Sequence, residues 1–317
     1  MSNFNHLVDL CHGKHIYIQT HNFPHPDAIA SVFGLQRLLS LYSISSTLCY
    51  DGRIDKLSAS KMLKAFQIEM FPYEQLRPTM TEEDYVICVD AQKHSGNITD
   101  FVGDEVACID HHPTFVPMKY HYQDIRLTGA CATLIAQYYQ QISCKPDKYT
   151  ATALLYGLKM DTLQFTRGVT DLDIEMFAFL FPLCDQKTLV RLERNNMEFS
   201  DLKAYGAAIE NIELYDKVGL SYLSFPCPDS LIATISDFIL ALQEVEIAVV
   251  FSYREDGVKF SVRSETPAIH AGHLVRDALC RAGEGGPRLL GGSQKPLGSD
   301  PPKKYTSAGV LSQGCYP

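Results

Sequence analysis

Short apolar runs alternate with helix-forming segments along the first half of the chain, and this alternation constrains the fold more than any other feature. Four runs are typical of strands: 15–20, 46–50, 84–90 and 105–110. Four segments place apolar residues at helical spacing: 27–42, 54–66, 128–141 and 149–160. Strands that alternate with helices form βαβ units. The sequence therefore predicts an α/β fold with a mostly parallel sheet.

The pattern changes after a long helical stretch, which predicts a second domain. A helical stretch over 171–213 is interrupted near Pro182 and Asp185, and its polar second half suits a connector. A strand, a helix and a hairpin that turns at Asp256-Gly257 are then predicted at 218–225, 229–242 and 246–264. The predicted organisation is a parallel-sheet domain, a helical connector and a smaller α/β domain, at 1–185, 186–213 and 214–317.

The tail at 283–317 has a different composition from the rest of the chain. It contains 8 Gly, 5 Pro and 4 Ser and shows no apolar periodicity. Such composition is typical of a flexible segment. True divergence and a shifted reading frame both account for it, so the prediction is an aberrant or flexible tail.

Charge and composition exclude several classes of function. The formal net charge is −9, from 28 Lys and Arg against 37 Asp and Glu, which argues against a protein that binds duplex nucleic acid on a basic face. No apolar run approaches the roughly 20 residues of a membrane helix, and no secretory signal precedes the first strand. Ten scattered cysteines without a C-x-x-C pair indicate a reduced compartment. We expect a cytoplasmic protein that does not bind membranes.

Asp and His side chains follow the predicted strands and one predicted helix. These residues are His21, His25, Asp27, Asp90, Asp110, His111, His112 and Asp161. Groups just past the carboxyl ends of parallel strands meet in one crevice. A mixed set of carboxylates and imidazoles suits two divalent cations, which together can orient a phosphoryl group and activate water.

Each residue also has a simpler interpretation. Asp90 alone suits a helix N-cap, His111 and His112 suit a loop, and Asp161 followed by a threonine suits a turn. Their shared placement at element ends favours a common site, although it does not identify a substrate.

Four ordered motifs resemble those of the DHH phosphoesterases. They are HNFPHPDAIAS from His21, the VD that ends at Asp90, DHH at 110–112 and GLKMDTLQF around Asp161. The resemblance runs from about His15 to Ser264. That family includes RecJ-like nucleases, nano-RNases that also dephosphorylate pAp (3′-phosphoadenosine 5′-phosphate), cyclic-dinucleotide phosphodiesterases and family II pyrophosphatases.

The resemblance implies a role for each motif residue at a site with two divalent ions, most often Mn²⁺. His21 binds the first metal and Asp27 the second, with Asp90 as the bridge. His111 and Asp161 complete the shell of the second metal. The implied catalytic residues are Asp110, which orients an imidazole, and His112, which faces the substrate phosphate.

One position departs from the family pattern. His25 stands where the family has an aspartate that binds the first metal. An imidazole can still be a ligand, but it removes a negative charge and shifts preference towards Fe²⁺, Co²⁺ or Zn²⁺. Two hypotheses follow: an active enzyme with altered affinity for the first metal, or a degenerate site.

Residues 258–264 resemble a strand of the DHH-associated domain, and the resemblance makes Arg263 a ligand of the substrate phosphate. Gly285 and Gly286 begin the glycine-rich loop that contacts nucleotide in that domain, before the sequence diverges at Pro287. The implied substrate-binding residues are thus His112, Arg263, Gly285 and Gly286.

The implied activity is metal-dependent hydrolysis of phosphate esters. This domain type favours short single-stranded oligoribonucleotides or pAp-like small nucleotides as substrates, and a homodimer is left open. Two alternatives remain: an inorganic polyphosphatase or pyrophosphatase, and a nucleotide-binding protein without catalysis.

Overall fold

The computed structural model describes residues 3–54, 56–194, 196–254, 257–266 and 294–295, and the architecture below is that of these residues. The chain forms two compact units, Met1–Asn196 and Met197–Pro317. The predicted connector at 186–213 is divided between them. Its first helix, Gln186–Glu193, buries Leu189 and Leu192 in the core of the first unit. Its second, Leu202–Glu210, buries Ala204 and Ala208 in the core of the second.

The first unit is built on a parallel sheet in the order β3-β2-β1-β4-β5-β6. The strands are β1 Ile16–Thr20, β2 Ser46–Tyr50, β3 Phe71–Pro72, β4 Tyr85–Val89, β5 Asp104–Asp110 and β6 Tyr122–Ile125. From β1 the chain proceeds outward to β2 and β3, and then returns to the other side of β1 to form β4, β5 and β6. The strand order therefore reverses between β1 and β4, where open α/β sheets bind their ligands. The predicted α/β fold with a parallel sheet is confirmed.

Helices cover the sheet because alternate strand residues point to opposite faces. In the first unit they are α1 Asn3–Cys11, α2 Pro26–Ser40, α3 Leu57–Phe66, α4 Tyr73–Leu76, α5 Cys131–Gln141, α6 Lys148–Asp161, α7 Asp171–Leu180 and α8 Gln186–Glu193. Ile16 and Ile18 belong to the main core with α2, α5 and α6, whereas Tyr17 packs on the other face with Cys49 and Val86. Neither α1 nor β6 was predicted from the sequence.

Two glycines let α2 and α6 approach closely. A Cβ on Gly157 would lie 2.8 Å from Ala30 Cβ and 3.1 Å from Asp27 Cα. A Cβ on Gly34 would lie 2.8 Å from a methyl carbon of Leu154. These contacts are shorter than packed carbon atoms tolerate. Glycine at both positions therefore sets the distance between the helix that begins near Asp27 and the helix that ends at Asp161.

The second unit has a smaller sheet in the order β11-β10-β9-β8-β7. Its elements are α9 Leu202–Glu210, β7 Glu213–Tyr215, β8 Val218–Leu223, α10 Asp229–Leu240, β9 Ile247–Arg254, β10 Gly257–Ser264 and β11 Gln294–Lys295. β8 and β9 are parallel, and the other neighbours are antiparallel. The antiparallel pairing of β9 with β10 matches the predicted hairpin, although residues 255–256 at its turn lie outside the described part.

Among the described residues, no helix has the length and apolar character needed to cross a lipid bilayer.

Candidate metal centre

The predicted Asp and His residues of the first unit lie together where the strand order reverses. His21 follows β1, and Asp90 follows β4, the strand paired with β1. Asp110 is the last residue of β5, so that His111 and His112 leave the same edge of the sheet. His25 and Asp27 lie at the start of α2, and Asp161 is the last residue of α6. Four separate segments thus converge.

The first group of potential metal ligands contains His21, His25 and Asp90. His21 Nε2 lies 3.6 Å from Asp90 Oδ2, and His25 Nε2 lies 3.5 Å from the same oxygen. One ligand atom from each residue lies within 4.8 Å of the others, and all three residues are buried. The spacing is that of side chains around one cation.

The second group contains Asp27, His111 and Asp161. His111 Nε2 lies 3.4 Å from Asp161 Oδ2 and 3.9 Å from Asp27 Oδ2. It also lies 3.2 Å from Asp90 Oδ1. Asp90 thus directs Oδ2 towards the first group and Oδ1 towards the second. This is the arrangement that a bridging carboxylate needs.

Several buried polar atoms in these groups lack a hydrogen-bond partner among the described residues. They are His21 Nε2, His111 Nε2 and both carboxylate oxygens of Asp90. Buried polar atoms without partners are costly and rare in folded proteins. One cation in each group would give these atoms a partner, so the residues present fit a pair of divalent cations.

Hydrogen bonds fix two of the rings in the form that binds metal. His21 Nδ1 lies 2.7 Å from Asn22 O, and His111 Nδ1 lies 2.9 Å from Thr128 O. A carbonyl oxygen only accepts, so each Nδ1 carries a proton and donates it. In the neutral ring the lone pair is then on Nε2, the atom that faces the carboxylates.

His25 differs from these two rings because it caps α2. Ala28 N donates to His25 Nδ1 over 3.4 Å, which makes Nδ1 the acceptor and places the proton of the neutral ring on Nε2. Burial, and then the charge of His21, hold the pKa of His25 well below its usual value. A cation at Nε2 requires the proton to move to Nδ1, which faces the Ala28 N–H. Metal binding at His25 therefore competes with the helix cap.

The excess of carboxylates affects the protonation of the cluster. Burial, and then the charges of Asp90 and Asp161, raise the pKa of Asp27 well above its usual value. Although burial opposes it, contact with Asp90 raises the pKa of His111 well above its usual range. Burial likewise opposes ionisation of Asp90, but His111 and the other imidazoles hold its pKa below the usual range. The cluster thus attracts positive charge, in the form of protons or of cations.

Asp27 also anchors α5. Its Oδ2 accepts from Cys131 N over 2.7 Å, and its Oδ1 accepts from Ala132 N over 2.9 Å. A carboxylate oxygen has a second lone pair, so these bonds are compatible with a metal contact. The N–H groups at the start of α5, which the sequence did not point to, therefore fix the orientation of Asp27.

Asp110 holds His112 in place. Its Oδ1 accepts from His112 Nδ1 and from His111 N, both over 2.8 Å. Although burial opposes it, the bond to Asp110 raises the pKa of His112. Gln92, which was not predicted, donates from Nε2 to Asp110 Oδ2 over 2.7 Å. Only its place two residues after Asp90 could have suggested it.

Three of the predicted substrate-binding residues, Arg263, Gly285 and Gly286, belong to the second unit. Arg263 lies in β10, where its Nε donates to Asp237 Oδ1 over 2.7 Å. Its role as a phosphate ligand stays a prediction. Gly285 and Gly286 lie outside the described residues.

The fold and the cluster define a parallel α/β domain with a candidate site for two metal ions. The profile described as "DHH family, N-terminal domain" matches residues 15–158 of this chain.

Two curated relatives share sequence with the chain. An uncharacterized protein of Methanocaldococcus jannaschii is 26% identical over 89% of this chain. The cyclic-di-AMP phosphodiesterase GdpP of Geobacillus thermodenitrificans is 25% identical over 78% of it. The chain spans 58% of the length of the first relative and 40% of the second.

Solved structures share the fold. An exopolyphosphatase-related protein from Bacteroides fragilis superposes with a TM-score of 0.73 at 17% identity, over 93% of this chain and 89% of that one. RecJ from Thermus thermophilus, in complex with Mn²⁺, has a TM-score of 0.50 at 13% identity, over 93% of this chain and 51% of that one. At these identities the likeness shows the fold alone.

Proposed function

We propose that this protein is a divalent-metal-dependent phosphoesterase whose centre is the cluster around Asp90. The observation that carries the proposal is the position of Asp90 between two groups of ligands, with neither of its oxygens in a hydrogen bond among the described residues. A structural ion pair would have satisfied those oxygens. The match of residues 15–158 to the DHH family profile supports the same conclusion.

The residues divide into two sets of ligands. His21, His25 and Asp90 would hold one cation, and Asp27, Asp90, His111 and Asp161 the other. Such cations supply Lewis-acid stabilisation of phosphoryl charge and activation of water. Mn²⁺ suits the second set because oxygen ligands predominate there. Fe²⁺, Co²⁺ or Zn²⁺ suits the first set because it has two imidazoles.

His112 is the proposed proton donor to the leaving group. Asp110 fixes its Nδ1, and the raised pKa of His112 favours the protonated ring near neutral pH. Its side chain is 21% exposed, which gives it contact with solvent that the buried ligands lack. A general acid needs this combination of fixed orientation and access to substrate.

The proposed substrates are short single-stranded oligoribonucleotides or pAp-like nucleotides. The negative net charge suits small substrates that cations attract better than long ones bound along a basic track. Cyclic-di-AMP also belongs among the substrates to be tested, since one relative is a phosphodiesterase for it.

The test uses the full chain, freed of metal with a chelator and then supplied with Mn²⁺, Co²⁺ or Fe²⁺. Product release is measured from a 5′-phosphorylated RNA dinucleotide, pAp, cyclic-di-AMP, pyrophosphate and polyphosphate. We expect turnover of a nucleotide only with metal. Asp90→Asn should abolish it, whereas Asp104→Asn, at the exposed start of β5, should not.

Other results would favour the alternatives. Turnover of pyrophosphate or polyphosphate alone would replace the nucleotide proposal with an inorganic phosphatase. Metal and nucleotide binding without turnover would indicate a non-catalytic nucleotide-binding protein. Failure to bind any of the three metals would contradict the proposed centre itself.

A further inference from the structure

The turn that follows Asp161 has an unusual backbone. Leu163, Gln164 and Phe165 have φ values of 47°, 58° and 66°, so three consecutive residues other than glycine are in the left-handed region. Each such residue costs roughly 1 kcal/mol, and runs of them are rare. Strain of this kind persists where the surrounding structure enforces it, most often at functional sites.

Thr162 holds this turn closed. Its carbonyl oxygen accepts from Thr166 N over 2.9 Å and from Arg167 N over 3.0 Å. Its hydroxyl oxygen accepts from Phe165 N over 3.1 Å. The chain therefore curls back on itself, and the residue brought back to the end of α6 is Arg167.

The guanidinium of Arg167 is tethered beside a predicted metal ligand by a single bond. Nη2 donates to the backbone oxygen of Asp161 over 2.8 Å. Its other nitrogens have no hydrogen-bond partner among the described residues, and no described carboxylate forms an ion pair with it. Arg126, in contrast, donates from two nitrogens to the carboxylate of Asp124. Arg167 is partly exposed, so its remaining donors can reach a ligand.

The position of these donors suits one kind of ligand. Asp161 directs its carboxylate to His111 and the second group of ligands, and its carbonyl holds Arg167 at the border of that group. A guanidinium presents a planar set of donors that matches two phosphate oxygens. A phosphoryl group held at the second group of ligands would lie next to Asp161, the residue whose carbonyl tethers this guanidinium.

We propose that Arg167 is a substrate-binding residue that donates hydrogen bonds to the non-bridging oxygens of the phosphoryl group at the metal centre. The inference rests on the proposed function for its substrate. The strained turn would then serve to place the guanidinium of Arg167 next to the acidic cluster, where it forms no ion pair with a described carboxylate.

The test measures binding of inorganic phosphate to the full-length, Mn²⁺-loaded protein by titration calorimetry, so that it does not depend on turnover. Variants Arg167→Ala and Arg167→Lys are compared with wild type. The matched control is Arg37→Ala, which removes a positive charge about 16 Å along α2 from the start of that helix. Mn²⁺ affinity and thermal midpoint are measured for each protein.

We expect Arg167→Ala to weaken phosphate binding about 10-fold to 100-fold, the effect of losing charge-assisted hydrogen bonds. Arg167→Lys should lose less, and Arg37→Ala should bind as wild type. Mn²⁺ affinity and the thermal midpoint should change little in all three variants. In turnover assays KM should rise more than kcat falls.

Two results would overturn the inference. Unchanged phosphate affinity in Arg167→Ala would show that the guanidinium does not contact the ligand. A parallel loss of Mn²⁺ affinity would show that Arg167 only positions Asp161. If wild type binds Mn²⁺ and phosphate through Arg167 yet hydrolyses no phosphoester, the proposed function fails while this inference stands.

Discussion

The paired strands β4 and β5 have a buried carboxylate near each end, and the two ends differ in how that charge is satisfied. Near the start, Glu105 Oε2 lies 2.6 Å from Lys93 Nζ, which also lies 2.8 Å from Asp100. At the other end, Asp90 directly follows β4, and its carboxylate is surrounded by imidazoles, with neither oxygen in a hydrogen bond among the described residues.

The difference shows that this fold can pair a buried carboxylate with a lysine where only stability is needed. A lysine at the second end would have satisfied Asp90 equally well. The sequence instead places His21, His25 and His111 there, which can bind cations but carry a fixed charge only when protonated. The end at Asp90 is therefore arranged for a ligand.

The largest expected effect comes from removing the bridging carboxylate. Asp90→Asn should lower phosphoesterase activity on the order of 1,000-fold and weaken metal binding at both groups. The stability of its metal-free form should change little, because the lost attraction to the imidazoles is offset by the lost cost of burying an ionised carboxylate. Activity, calorimetric Mn²⁺ binding and urea unfolding measure the three quantities.

The control for this prediction is Asp104→Asn at the exposed start of β5, which should leave all three quantities unchanged. If Asp90→Asn instead destabilised the metal-free protein by several kcal/mol, the carboxylate would be a structural group and the contrast between the two ends would be lost.

A second prediction concerns the competition at His25. His25→Asp should raise Mn²⁺ affinity at the first group about 10-fold and reduce the preference for Co²⁺ or Zn²⁺, because it adds a charge and a harder ligand. It should also retain the helix cap, since aspartate is a good N-cap residue. Competition titrations with the three metals provide the measurement.

The matched control for that experiment is His12→Asp, which adds the same charge at an exposed position near the end of α1. Identical metal preferences in His25→Asp and wild type would mean that residue 25 is not a ligand. In that case the first group would need a different third member.

At the paired end of β5, removal of the cation should lower the stability of the fold and leave metal binding unchanged. Lys93→Met leaves Glu105 and Asp100 without their cation and should lower the free energy of unfolding by about 2 kcal/mol, between the values for exposed and fully buried pairs. Mn²⁺ affinity should not change. Lys148→Met, which removes a more exposed pair with Asp185, should lower the free energy of unfolding much less. If urea unfolding gave equal losses of unfolding free energy for the two variants, the Lys93 pair would stabilise the fold no more than an exposed pair does.

The sequence predicted the sheet and the cluster because both depend on local patterns. Apolar runs such as 84–90 and 105–110 are long enough to define strands, and motif residues directly follow them. β6 was missed because it buries only alternate residues over four positions. α1 was missed because it is only nine residues long and polar Asn, His and Asp residues interrupt its apolar ones, although Phe4 packs on Tyr138.

The groups that orient the cluster could not be predicted, because they are set by contacts distant in sequence. Gln92 reaches Asp110 across 18 positions, and Asp27 reaches the backbone of α5 across more than 100. The capping contact of His25, in contrast, is local, but its consequence for the ring proton follows only from the observed geometry. Composition and spacing contain no information about such bonds.

The smallest expected effect is a pH dependence at the paired end. Burial, and then the neighbouring Asp100, raise the pKa of Glu105 from 4.5 to about 7, so the folded state keeps this proton to higher pH than the unfolded chain does. The stability that the proton contributes is complete below about pH 4.5 and is lost as the pH rises through 7. Asp100 is half exposed and Lys93 offsets part of the charge, so we expect about 1 kcal/mol. Glu105→Gln, which mimics the protonated form, should remove this loss, and urea unfolding between pH 5 and 8 measures it against wild type. If both proteins lose the same stability over that range, Glu105 is ionised throughout, and Lys93 alone balances its charge.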